Sequence, residues 1–175
     1  FHRDDALRHR PAEITGGTTF SRVAVGGQTL PLAEGMVRGP SYLRDGTNLG
    51  LLLPAPLAPR DSVVLDFDWS FRIPREGAGG RMGWDGDDLF YLAYFYPQMA
   101  VYDDVAGWQA DYFLGQAEFY MGFADYDVTL DVPEGWLVQG TGRLLNEREV
   151  LPDPILARLR QAEASDTVVH VLTAQ

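Results

Sequence analysis

The feature that most constrains this chain is an alternation. Along residues 62–74, Val63, Leu65, Phe67, Trp69, Phe71 and Ile73 interleave with mostly polar Ser62, Asp66, Asp68, Ser70 and Arg72. Successive side chains of a strand point to opposite faces, so period two held over this length predicts a long strand with one wet face. A strand needs partners, and neighbouring segments offer them. Residues 19–25 are rich in β-branched and apolar types and end at Gly26-Gly27, a pair that accepts the positive φ angles of a tight hairpin, with residues 28–32 returning. A looser stretch over 33–46 leads to an apolar strand over 47–53, which Pro54 and Pro56 end because proline has no N–H to give a ladder.

The second half is more aromatic and less regular. Residues 77–86 read as a glycine-rich loop that delivers Asp85, Asp87 and Asp88 into a run over 89–96, expected to be a strand buried on both faces. Residues 102–115 read as an ordered aromatic loop. Tyr126, Val128, Leu130 and Val132 alternate with polar neighbours and predict a strand, Glu134-Gly135 a turn, and residues 136–145 a further strand. One helix is signalled: Asp153 as its cap, Pro154 at its first position, and Ile155, Leu156, Leu159 and Ala162 on one face as far as Ala164. Residues 167–173 read as a closing strand that runs into the C-terminus with no cap after it, as though the chain stopped in mid-structure.

The expected fold is therefore mainly β, an antiparallel sandwich or saddle with one C-terminal helix. Residues 1–17 form a lead-in and 18–175 a single β-rich domain, expected to be part of a larger multidomain protein. At 46% hydrophobic and 22% charged the composition is that of a folded chain. A net charge of -11 with no basic stripe argues against nucleic acid as a partner, and the longest apolar run is too short to span a bilayer. The absence of cysteine excludes thiolate chemistry and a disulfide scaffold but leaves the compartment open.

Catalytic chemistry finds little to work with. The three histidines, His2, His9 and His170, are not followed by Glu and do not form the paired-His helix of common zinc hydrolases, so no metal or other cofactor is expected in this chain. Asp85 and Asp87 begin like a calcium loop but lack its downstream bidentate Glu, which favours backbone capping instead. Asp103, Asp104, Asp111 and Glu118 include no pair that sequence can place at a glycosidase separation. The anomaly is aromatic density from Tyr91 to Tyr126, which fits a core, a domain contact or a stacking surface for sugar or peptide.

An ordered series of residues carries a resemblance: Tyr96-Pro97, Ala100-Val101-Tyr102-Asp103-Asp104, Gly107-Trp108, Gly115, Glu118-Phe119-Tyr120, Asp125-Tyr126-Asp127-Val128-Thr129, Val132-Pro133 and Thr141-Gly142. Over about the middle third, the chain resembles the N-terminal β-domain of aminopeptidase N-like (gluzincin) zinc metallopeptidases. The resemblance implies a twisted β saddle packed on a thermolysin-like catalytic domain that supplies zinc, its ligands and the general base. It implies a non-catalytic role here: partnering that domain and walling its peptide-substrate cleft through Tyr94, Tyr96 and Gln98. A Gln typical of that wall aligns with Tyr94, and Gln98 stands where a basic residue is frequent, so the chain departs from the pattern at both. Tyr102, Asp103, Asp104 and Trp108 would form an interdomain or binding surface. Export to the periplasm or beyond is implied by the resemblance alone. The alternative is a free-standing β-sandwich module that binds carbohydrate or peptide.

Overall fold

The computed structural model describes residues 17–74, 82–86, 88–112 and 120–172. Most of the lead-in with His2 and His9, the glycine-rich residues 75–81, Asp87, Gly115, Glu118, Phe119 and Thr173 lie outside the described residues. The fold is mainly β, made of small antiparallel sheets followed by a C-terminal helix, which is the class the alternation predicts. Contacts divide the chain into two compact units, residues 1–124 and 125–175.

The first unit is organised by a three-stranded sheet. Strand β1 (Thr19–Val25) lies between β2 (Gln28–Thr29) and β5 (Leu65–Ser70), antiparallel to both. Gly26 and Gly27 make the β1–β2 turn at φ 55° and 81°, the left-handed pair that a two-residue hairpin requires. Flanked on both edges, β1 buries consecutive residues: Val23, Ala24 and Val25 join Leu30 as the buried apolar core among the described residues. A register shift between Phe20 and Arg22 marks an irregularity in the β1–β5 ladder beside Ser21, whose hydroxyl donates to the Asp68 carbonyl at 3.2 Å. The predicted 62–74 strand is thus confined to its centre. Its alternation survives in part: Phe67, Trp69 and Phe71 are half-buried while Asp68 and Ser70 are exposed.

Three hairpins complete this unit. Strands β3 (Ser41–Asp45) and β4 (Asn48–Leu52) pair residue for residue across a two-residue turn at Gly46-Thr47. The looser stretch expected over 33–46 therefore hides β3, whose sequence has no period-two signal and whose pairing comes from β4. Strands β6 (Gly83–Asp85) and β7 (Leu89–Tyr91) pair with Trp84 opposite Phe90. Two expectations are corrected there. Gly83–Asp85 is a strand, not loop, and the run 89–96 is a strand for only three residues, with Leu89 and Phe90 exposed. The last hairpin, β8 (Tyr102–Asp103) and β9 (Gly107–Trp108), forms inside the segment expected to be loop.

The second unit carries helices α1 (Glu147–Val150) and α2 (Asp153–Glu163), the latter within a residue of its predicted end. Asp153 does not cap α2. Pro152 occupies the N-cap position with no side-chain hydrogen bond, and its carbonyl receives the N–H groups of Ile155 and Leu156. Arg160 pairs with Glu147 across the two helices, and Arg158 donates to the Val171 carbonyl at 3.3 Å. Residues 167–172 are irregular chain instead of the expected strand, touched by α2 through that bond.

The strands expected over 126–132 and 136–145 also do not form. Both segments are irregular and exposed, although the predicted turn at Glu134-Gly135 is present, with Gly135 at φ 87° and the Trp136 N–H bonded to the Pro133 carbonyl. Alternation makes a segment fit to be a strand; a ladder partner makes it one, and these segments have none among the described residues.

Candidate functional site: an aromatic hairpin

The β8–β9 hairpin gathers four of the residues singled out in the sequence. Its turn, Asp104-Val105-Ala106, is wound around one carboxylate: Asp103 Oδ1 accepts the N–H of Ala106 at 2.8 Å and of Val105 at 3.1 Å, and Oδ2 accepts Gln109 Nε2 at 3.0 Å. Aspartate suits this place because its short side chain reaches back to N–H groups two and three residues ahead. The Ala106 N–H, with those of Val105 and Gly107 and the Gln109 amide, holds the Asp103 carboxyl below its ordinary value against partial desolvation, which acts the other way. Gly107 at φ 74° closes the turn, and Gln109 N–H bonds the Val101 carbonyl at 2.8 Å to shut the base.

What the hairpin displays is aromatic. Tyr102 and Trp108 face each other across the ladder, ring centroids 5.2 Å apart and planes at 74°, an edge-to-face pair. They remain 67% and 59% exposed, and Val105 at the tip is 90% exposed. Asp104 is exposed beside them and, among the described residues, has no hydrogen bond or ion pair. The hairpin therefore separates two adjacent carboxylates by role: Asp103 builds the turn, and Asp104 faces solvent.

Residues just after the hairpin touch the β3–β4 hairpin. Asn48 Nδ2 donates to the Ala110 carbonyl at 2.6 Å. Tyr112 lies over the β3–β4 turn, where a Cβ built on Gly46 would come 2.8 Å from the ring. Its hydroxyl donates to Asp45, which raises the phenol above its ordinary value. Gln109, Asn48, Asp45 and Gly46 were not legible as partners of the aromatic loop. Only Gly107, four residues after Asp103, carried a local signal of the turn.

The proposed cleft-wall residues lie elsewhere in the same unit. Trp69 stacks on Phe71 at 5.7 Å, Phe95 tilts against both at 6.1 and 6.3 Å, and Tyr96 meets Phe95 edge-on at 5.4 Å. Tyr96 is thus half-buried in an aromatic cluster on the β5 strand. Tyr94 is 47% exposed and has φ 54°, a left-handed backbone that is uncommon outside glycine. Gln98 is exposed.

Among the described residues no group of three or more His, Cys, Asp and Glu is arranged to hold a metal ion. Asp85 is exposed at the end of β6, and Asp87, weighed with it as the start of a calcium loop and set aside, lies outside the described residues. No helix among the described residues is long and apolar enough to cross a membrane. Comparison with protein-family models, with curated proteins and with solved structures found no match.

Proposed function

We propose that this chain is a non-catalytic, cleft-shaping β-domain of a zinc aminopeptidase-like metallopeptidase, packed in its parent against the domain that carries the metal. The observation that carries the reading is the β8–β9 hairpin: a turn braced by four hydrogen-bonding groups presents Tyr102, Trp108 and Val105 to solvent, where apolar surface of this kind marks a contact. The series from Tyr96 through Trp108 is also where the sequence resembles the N-terminal domains of that family. Tyr94, Tyr96 and Gln98 stand on the cleft side of this reading, with peptide as the substrate of the parent.

The alternative, a free-standing β-sandwich module for carbohydrate or peptide, is favoured less: a flat stacking platform would present its exposed rings in a planar row, and the exposed pair Tyr102–Trp108 is inclined by 74°.

The test is to express the complete source reading frame and the 175-residue chain separately and assay both on aminoacyl p-nitroanilides, with and without a chelator. The reading expects chelator-sensitive hydrolysis by the complete product and none by the chain alone. A complete product that neither binds zinc nor hydrolyses these substrates sinks it.

A further inference from the structure

The charge pattern around the hairpin indicates what covers it. All fourteen cationic side chains of the protein are arginines, and none falls between Met82 and Gly142. That stretch has no Lys or His either, while holding eleven carboxylates and both exposed rings of the hairpin. Such a distribution leaves the Tyr102–Trp108 pair without a cation from its own segment and beside a carboxylate, Asp104, that has no partner among the described residues. An indole face attracts guanidinium and ammonium groups, and Trp is the best of the aromatic side chains for this. Protein-wide charge of -11 adds long-range attraction for cations and repulsion of acidic partners, including a second copy of this chain.

We infer that the β8–β9 hairpin docks a cationic segment of a protein partner, with an Arg or Lys side chain laid on Trp108 and Tyr102 and its charge answered by Asp104. Asp103 takes no part in the contact because its oxygens are committed to the turn; it is the positioning residue. The inference rests on the reading of this hairpin as a covered face, but not on the partner being a zinc domain.

The experiment titrates the intact chain with an acetylated, amidated (Gly-Arg)4 peptide and with its citrulline counterpart, of nearly the same shape but uncharged, by calorimetry at low and at physiological salt. The arginine peptide is expected to bind and the citrulline peptide not to. Trp108→Leu is expected to weaken binding about threefold or more. Asp104→Asn, which disturbs no bond of the fold, should weaken it by more than Asp127→Asn, a matched loss of charge elsewhere in the acidic stretch. Equal binding of the citrulline peptide, native affinity in Trp108→Leu with the hairpin intact by NMR, or equal effects of the two Asp substitutions would each overturn the inference. Its failure is separable from that of the peptidase reading: hydrolysis by the complete product without peptide binding removes only the cationic contact, and binding without hydrolysis removes only the peptidase.

Discussion

Asp103 and Gly46 are the two residues on which the site depends, one through charge and one through the lack of a side chain. The folded-state pKa of Asp103 lies below the ordinary 3.8 because the Ala106, Val105 and Gly107 N–H groups and the Gln109 amide all favour the carboxylate. A depressed carboxyl contributes stability that is present above the unfolded value, about 3.9, and is lost as pH falls through the lower folded value. The protection of the Val105 and Ala106 amides, measured as exchange relative to the intrinsic rate at each pH, is therefore expected to hold above pH 4 and to fall as the solution is taken below it, while Asp103→Ala lacks that protection at every pH. Asp103→Asn keeps an acceptor oxygen but not the charge and is expected to fall between them. Gly46 has φ 59° and no room for a Cβ under the Tyr112 ring. Gly46→Ala is expected to destabilise by about 1–2 kcal/mol, mostly from the backbone. In a Tyr112→Ala background the part due to the ring should vanish, which a thermal-melt double-mutant cycle reads directly.

At the level of elements, what local chemistry dictates was legible and what a distant partner decides was not. Gly26-Gly27 specified the β1–β2 hairpin because only positive φ angles close it, and Pro154 with the 155–162 apolar face specified α2. Strand β5 was legible from its own alternation, but its length was not, because β1 pairs only with Leu65–Ser70. The converse error came at 126–132, whose period-two pattern is as good as that of β5, and at 136–145, which has no such pattern; neither has a ladder opposite it among the described residues. In the site, the aromatic residues were visible in the sequence, whereas Gln109 and Asn48 became partners only through folding across six and 62 positions. The central place of β1 yields its own expectation: Val23 is fully buried, so Val23→Ala should cost about 1–3 kcal/mol in denaturant unfolding, and the exposed Val64→Ala near zero.

At the scale of the whole chain, many large apolar side chains among the described residues are exposed. The first unit buries Val23, Ala24, Val25 and Leu30, and no described residue of the second unit is buried. Tyr126, Val128, Leu130 and Val132 are exposed along with Tyr102 and Trp108. Exposed aromatic and aliphatic surface of this extent supports the proposal of a covered face, and the acidic balance supports a cationic partner in that proposal. The central claim is that the Tyr102–Trp108 hairpin is a covered face in the complete protein. Hydroxyl-radical footprinting with mass spectrometry, applied to the 175-residue chain and to the complete product of its reading frame, tests it most directly. The account predicts that Tyr102 and Trp108 are labelled readily in the chain alone and several-fold more slowly in the complete product, while Tyr94, proposed for the cleft wall, remains accessible in both. Equal labelling of Tyr102 and Trp108 in the two proteins would contradict it.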